Sequence, residues 1–275
     1  MTVKFKAVVI DNQNEKFTRD IKELNTSHFK DGNVLIKIDY SSLNYKDAMI
    51  LKDGGRIVRK FPFVPGIDFS GKVVESEDER FKKNENVICT GFRVGEMYYG
   101  GFSQYAKVDS NFLIKNPKNI DSEKSMMLGT AGFTALQCSF AIKAREELLL
   151  GEKVKDVLVS GATGGVGSIA VMILSKMGYN VYAVTGKKDK YDYLKDLGAK
   201  NIIDRKEFEG ESKLLEKGTW DGVVDTVGGS PLTKILAQVK PNGIVASCGN
   251  AGGIKINTTV MPFIIRGVKL WGIDS

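Results

Sequence analysis

The sequence is poor in the residues that build metal centres and nucleophile–base pairs. Among 275 residues there is one histidine, His28, and there are three cysteines, Cys89, Cys138 and Cys248. The cysteines lie far apart, are odd in number and form no CxxC pair. That excludes a zinc knuckle, a thioredoxin-type redox motif and a disulfide scaffold. A catalytic zinc ion takes three protein ligands with His or Cys prominent among them, and these four residues show no ligand spacing. The sequence therefore predicts no metal site and no Ser–His triad. The cysteines read as buried, reduced thiols without a local activating motif, which fits a cytoplasmic setting.

Long apolar runs are also scarce. The opening MTVKFKAVVIDNQ has an apolar run too short for a signal peptide, and it meets Asp11 at once. Residues 125–142 and 157–175 carry no charge. Each contains several Gly, Ser or Thr, whereas a spanning helix reads as predominantly apolar throughout. Both predict buried elements with a turn inside, and no membrane span. Hydrophobic residues make up 42% and charged residues 27% of the chain, enough to bury a core without disulfides and too much for a disordered or collagen-like protein. The length suggests roughly two domains.

Lys and Arg number 40 against 33 Asp and Glu, a net charge of +7. The basic residues are spread along the chain with acids between them. This pattern reads as a solvated surface or as attraction for small anionic ligands, and no clustered basic–aromatic face points to nucleic acid.

Two textures follow one another. Residues 1–120 are rich in short β-leaning runs at 3–10, 33–40, 69–75, 86–90 and 106–114, separated by Gly, Pro, Asn or Asp. From Asp121 the reading changes to helix, with candidates from Asp121 and over 132–145. Apolar strands then alternate with amphipathic helices, the strands at 157–160, 181–184, 201–203, 222–226, 244–247 and 268–273, the helices at 167–177, 188–197 and 231–239. Alternation of this kind predicts an α/β domain with a parallel sheet covered on both faces, and six strands complete a doubly wound dinucleotide-binding fold. The expected division is 1–120 and 121–275.

Val157-Leu-Val-Ser160-Gly161-Ala-Thr163-Gly164-Gly165-Val166-Gly167 reads as a strand, a glycine-rich turn and the start of a helix. Glycines let such a turn close and let backbone approach a pyrophosphate, while the helix N-terminus offers free N–H groups and a positive dipole end. The spacing is Gly-x-x-Gly-x-x-Gly, so the flanking strand and helix carry much of the assignment. An NAD site places an acid at the end of the second strand, against the ribose 2′-hydroxyl. Here that position reads Val184-Thr185-Gly186-Lys187-Lys188. A hydroxyl and lysines suit a 2′-phosphate, and Arg205 beyond the third strand can add a bidentate contact. The expected cofactor is NADPH.

Together with this turn, Ser41-Ser-Leu-Asn44-Tyr45-Lys46-Asp47 and Phe63-Val-Pro65-Gly66-Ile67-Asp68-Phe69-Ser70-Gly71 carry a resemblance. Gly129-Thr-Ala-Gly132-Phe-Thr-Ala135, Asp225-Thr-Val-Gly228 and Thr258-Thr-Val-Met261-Pro-Phe263 extend it over essentially the whole chain. The sequence resembles the zinc-independent medium-chain dehydrogenases/reductases, and among them the acrylyl-CoA reductase group, the YhdH/YhfP quinone oxidoreductases. Zinc-dependent relatives carry Cys where this chain has Asn44, a His–Glu pair where it has Ile67-Asp68, and a four-cysteine lobe without counterpart here.

The resemblance implies a GroES-like, β-rich catalytic domain followed by a Rossmann domain, with NADPH in the cleft between them. It implies that Thr163, Gly164, Gly165 and Val166 cradle the pyrophosphate. Thr185, Gly186 and Lys187 would meet the 2′-phosphate with Arg205 nearby, and Gly249, Asn250 and Ala251 would pass beside the nicotinamide. Tyr45 would face the nicotinamide, and Tyr45 and Asn44 are the candidate catalytic residues. Family members continue beyond the segment ending at Ser275, so the C-terminal part of the catalytic domain is expected to be missing.

The chemistry implied is hydride transfer from NADPH to the β-carbon of an activated alkene, acrylyl-CoA or a similar thioester, and protonation at the α-carbon. Negative charge then develops on the carbonyl oxygen and calls for hydrogen-bond donors. Tyr45 can orient the nicotinamide or donate to the enolate with help from Asn44, or both can pack the wall. Quinones and free enals or enones are the alternative substrates, and a noncatalytic NADPH-binding sensor is the alternative of another class. Lys52, Arg56, Arg59 and Lys60 suit either a solvated loop or the phosphates of CoA. Met126-Met127 reads as core. The expected assembly is a homodimer, with the sixth strand as a sheet-edge partner.

Overall fold

A computed structural model describes residues 2–13, 16–54, 56–148 and 153–274. They form two compact units that divide between Thr130 and Ala131.

The first unit opens with an antiparallel hairpin, β1 (Lys4–Gln13) and β2 (Lys16–Asn25). Alternation over the first half of β1 buries Phe5, Ala7 and Val9 with Val64, and Ile10 is buried beside them in a second cluster with Ile50, Val58 and Phe63. β2 is largely exposed, Ile21 included. With no buried face of its own it left no period-two signal in the sequence.

Next come β3 (Val34–Ser41), α1 (Tyr45–Asp53), β4 (Asp68–Ser76), β5 (Asn86–Thr90), β6 (Tyr105–Val108) and β7 (Leu113–Lys115). The strands make an antiparallel sheet in the order β6-β3-β4-β5-β7. Val34, Ile36, Phe69, Val73, Val87, Cys89, Ala106 and Leu113 fill its core. The single run expected over 106–114 is two strands. A 3-10 turn at Ser110–Phe112 separates them, and the Asp109 carboxylate caps it by accepting the Asn111 N–H at 2.8 Å. α1 was not legible as a helix because only Asp47 and Ile50 of it are buried.

α2 (Ser122–Leu148) is two helical segments joined at Gly129, whose φ of 49° and ψ of −153° are not helical. By length and composition it passes for a membrane span. The kink breaks it, and Ala135, Cys138, Ala141 and Ile142 are buried in a protein core. Met126 is buried, but Met127 is 67% exposed and is not core.

The second unit continues with β8 (Asp156–Val159), α3 (Gly165–Lys176), β9 (Asn180–Thr185), α4 (Tyr191–Asp196), β10 (Asn201–Asp204), β11 (Trp220–Asp225), α5 (Gly229–Ala237), β12 (Val239–Ser247), α6 (Met261–Arg266) and β13 (Lys269–Gly272). All strand pairs are parallel, in the order β10-β9-β8-β11-β12-β13. This is the six-stranded doubly wound order expected from the sequence.

Alternate residues feed two cores. Val157, Val159, Val224, Ile244 and Ala246 pack on one face with α2 and α3. Leu158, Val223 and Val245 pack on the other against Leu232, Ile235 and Leu236 of α5. The strand order reverses between β8 and β11. Ligands of such sheets bind at that point, beyond the carboxyl ends of the strands.

Candidate functional site

The glycine-rich turn lies at this switch point. Gly164 is the extended N-cap residue of α3, so the first-turn N–H groups that follow have no carbonyl within the helix to bond. The glycines divide the work. Gly161 has a φ of 59° and closes the turn, and a side chain at Gly167 would collide with the Gly161 carbonyl. Gly164 and Gly165 are exposed, and a Cβ on them would meet only the Gly161 oxygen at 3.2 Å and the Ala131 Cβ at 3.3 Å. Two glycines therefore hold the backbone together, and two leave its outer lip bare for an anion.

The end of β9 joins this lip. The hydroxyls of Thr163 and Thr185 lie 3.3 Å apart, and Thr185 Oγ1 accepts the Lys187 N–H at 3.1 Å. The Arg205 side chain, just past β10, packs on Gly186. Lys187 and Arg205 are both exposed, and residues 185–188 contain no acid. The structure thus brings Thr163, Thr185, Gly186, Lys187 and Arg205 together.

Gly249, Asn250 and Ala251 follow β12 on the other side of the switch point, with Asn250 and Ala251 exposed. The Cys248 N–H donates to the Asp225 carbonyl at 2.9 Å, and the Gly252 N–H to the Val227 carbonyl at 2.7 Å. Any side chain at Gly249 would strike the Thr226 carbonyl. Beneath these loops the Asp225 carboxylate is fully buried, and burial pushes its pKa up against the donors that surround it.

The first unit holds its own buried carboxylates. Asp68 Oδ2 accepts from the Ser42 hydroxyl at 2.7 Å, the Asn44 amide at 2.9 Å and the Thr130 N–H at 2.9 Å. Its Oδ1 accepts from the Thr130 hydroxyl at 2.6 Å. Asp47 accepts the N–H groups of Asn44 at 2.9 Å and Ile67 at 3.0 Å. Burial raises the Asp47 pKa, partly offset by these two hydrogen bonds, and the nearby Asp68 charge adds to the rise.

Asn44 and Asp47 form a reciprocal capping box at the start of α1. The Asn44 amide nitrogen donates to Asp68 and, at 3.1 Å, to Ser42. Its donors are engaged within this network, whereas Tyr45, the first residue of α1, leaves 60% of its surface exposed. Lys52, Arg56, Arg59 and Lys60 are all exposed. Sequence reasoning missed the roles of Asp68 and Asp225. The available signal was an acid set within or ending an apolar strand, as in Ile67-Asp68-Phe69 and Val223-Val224-Asp225.

Comparison with known proteins follows the two units. The alcohol dehydrogenase GroES-like domain family matches residues 30–118, and the zinc-binding dehydrogenase family matches residues 165–274. Acrylyl-CoA reductase AcuI of Ruegeria pomeroyi is 45% identical over 274 residues, 98% of this chain and 82% of that protein. The yhdH oxidoreductase of Salmonella enterica, solved in complex with NADP, is 45% identical with a TM-score of 0.92, covering 98% of this chain and 82% of that one. Bacillus subtilis yhfP, solved with NAD bound, is 43% identical with a TM-score of 0.92, over 99% and 82% of the two chains. The chain belongs to the medium-chain dehydrogenases/reductases, in the branch that contains AcuI, YhdH and YhfP.

Zinc, which one family description carries, does not fit the donors present. Asn44 and Asp68 are hydrogen-bonded to each other. Cys89 is a buried thiol whose pKa burial drives up, and the His28 ring is tied to Asn25. Among the described residues no group of three or more His, Cys, Asp or Glu is placed to hold a metal ion. A dinucleotide does fit, at the bare lip of the turn and the cationic, acid-free end of β9.

Proposed function

We propose that the protein is an NADPH-dependent oxidoreductase that reduces the activated C=C bond of a thioester of the acrylyl-CoA type, without a metal. The observation that carries the cofactor is the end of β9, where Arg205 packs on Gly186 between Thr185 and Lys187 and residues 185–188 contain no acid. A carboxylate there would repel a 2′-phosphate, whereas Lys and Arg attract it. Relatives of similar identity were solved with NADP in one case and NAD in another, so the preference must come from this chain's own side chains. The thioester is supported by the acrylyl-CoA reductase named among the relatives.

When bound, NADPH supplies a hydride from its nicotinamide ring. Thr163, Gly164, Gly165 and Val166, at the turn and the N-terminus of α3, would cradle the pyrophosphate. Gly249, Asn250 and Ala251 would line the nicotinamide. Tyr45 would donate a hydrogen bond from its phenolic hydroxyl to the substrate carbonyl oxygen, offsetting the charge that would develop there, and the α-carbon would then take a proton to complete the reduction. Asn44, with its amide nitrogen held by Asp68 and Ser42, positions the start of α1 and so Tyr45.

The protein works as a homodimer. β13 ends the parallel sheet and carries Leu270 and Trp271, 37% and 46% exposed. Cys89 and Cys138 are buried, Cys248 is half-buried rather than buried as expected, and none of the three is disulfide-bonded, which suits a cytoplasmic setting.

The deciding experiment follows loss of NADPH absorbance with acrylyl-CoA, a simple quinone and an enal offered separately, beside NADH controls. Rapid turnover confined to NADPH and acrylyl-CoA is expected. Preference for the quinone or enal would overturn the substrate, and NADPH binding without turnover of any acceptor would make the protein a cofactor-binding sensor.

A further inference from the structure

Asp225 is a fully buried carboxylate that takes no part in the chemistry proposed above. It is the last residue of β11, at the point where the strand order reverses. Oδ1 accepts the Ser160 hydroxyl at 2.7 Å and the Val227 N–H at 3.3 Å. Oδ2 accepts the Gly228 N–H at 3.0 Å and the Ser247 hydroxyl at 3.3 Å. Its partners therefore come from the ends of three adjacent strands, Ser160 after β8, the 226–228 loop after β11, and Ser247 closing β12.

The contacts spread outward from there. Ser160 Oγ accepts the Thr226 N–H at 3.0 Å, and Thr226 Oγ1 donates back to the Ser160 carbonyl at 2.9 Å. The 226–228 loop is bridged to the 248–253 loop between Gly228 and Gly253.

We infer that Asp225 is a positioning residue that locks the two loops on the nicotinamide side to the pyrophosphate turn, and so sets the geometry of the reactive half of the dinucleotide. The inference rests on the cofactor reading above. The groups assigned to the adenosine half, Thr185, Lys187 and Arg205, lie at the ends of β9 and β10, on the far side of β8 from β11. Losing the Asp225 lock should therefore loosen one half of the site and spare the other.

The donor pattern makes the carboxylate hard to replace. Each oxygen receives one hydroxyl and one backbone N–H. A hydroxyl can rotate to become an acceptor, but a backbone N–H cannot. An asparagine in either orientation sets its NH2 against one of those N–H groups and leaves buried donors unpaired.

The test uses the intact chain as wild type, Asp225→Asn and the milder Ser247→Ala. Calorimetric affinities are measured for NADPH and for adenosine 2′,5′-bisphosphate, which lacks the nicotinamide half. Asp225→Asn is expected to weaken NADPH by about tenfold or more and to leave the bisphosphate within about twofold. Ser247→Ala should also weaken NADPH selectively, by less than Asp225→Asn, and leave the bisphosphate unchanged.

Equal weakening of both ligands, as a merely structural role would give, overturns the inference, and so does no change in either. If Asp225→Asn does not fold, Ser247→Ala decides, and the absence of a selective loss of NADPH overturns it. A wild type that binds neither ligand overturns the cofactor reading itself, and the inference with it.

Discussion

Arg205 covers the backbone of Gly186: a methyl group built on that glycine would stand 2.8 Å from the guanidinium Nε and 2.9 Å from Cδ. The tips of β9 and β10 thus form one surface, with a cation laid where a longer residue at 186 would have to push it aside. Its ion pair with Glu209 is long, at 3.9 Å, and largely exposed, so little holds the guanidinium back from an incoming anion.

Arg205→Ala is accordingly expected to weaken NADPH by about tenfold, the loss of a charge-assisted contact to phosphate, and to leave NADH almost unchanged. Titration calorimetry with both cofactors checks it. An equal loss for both would place Arg205 outside the 2′-phosphate site.

The kink in α2 gives a second expectation. Gly129 combines a φ of 49° with a ψ of −153°, and a Cβ there would lie 2.5 Å from Asp68 Oδ2. Strain in that region and the approach to a buried carboxylate act in the same direction. Gly129→Ala should cost about 2 kcal/mol or more, a fall in Tm of roughly 4–8 °C. Thermal unfolding followed by circular dichroism reads the change.

The parallel sheet was legible because its strands are buried on both faces and read as unbroken apolar runs, such as Val157-Leu158-Val159. α6 and β2 were not, since only Pro262 of the one is buried and most of the other is exposed. The glycine-rich turn and the end of β9 could be read because their chemistry is local. Asp68 and Asp225 could not, because their partners stand far off in sequence. Thr130 comes from α2 and Ser160 from the end of β8, and only the folded chain brings them to those carboxylates. Asn44 shows the same limit, since its residue type suggests a free donor while the fold gives its amide to Ser42 and Asp68.

A pH-dependent element lies elsewhere in the second unit. Lys240 Nζ stands 3.2 Å from Asp156 Oδ2 and 3.1 Å from Asp221 Oδ2. Burial alone would raise the Asp156 pKa, but hydrogen bonds from Asn180 and Lys240 outweigh it and hold the group below its usual range. Burial would lower the Lys240 pKa, and the two carboxylates raise it instead. The Asp156 contribution is therefore present above the ordinary carboxylate range and is lost as pH falls through its lowered pKa. The Lys240 contribution is present below the ordinary lysine value and is lost only in strong alkali. Lys240→Met should lower Tm by a few degrees at neutral pH, and its gap to wild type should close as pH drops below about 4. A gap that stayed constant with pH would mean that lost packing of the lysine stem, and not charge, sets the effect.

Tyr45 separates chemistry from stability. Its side chain is 60% exposed at the start of α1, so removing the phenolic oxygen takes nothing from a core. Tyr45→Phe is expected to lower kcat by about tenfold or more with Tm unchanged. Steady-state kinetics beside thermal unfolding tests this. An unaltered kcat would remove Tyr45 from the reaction.

The edge of the parallel sheet makes the last prediction. β13 pairs with β12 on one side and is the terminal strand of the sheet on the other. An uncovered edge offers N–H and C=O groups to a partner strand, and two copies related by a twofold axis would satisfy both edges at once. Ile264, Ile265 and Trp271 are exposed on α6 and β13, giving the contact an apolar component that a polar edge would lack. Trp271→Lys puts a charge on that strand, a substitution natural edges use to block pairing. Light scattering behind gel filtration should give the wild type twice the mass of the variant, with NADPH affinity unchanged. A wild type already monomeric at micromolar concentration would show that this edge has no partner in a second copy.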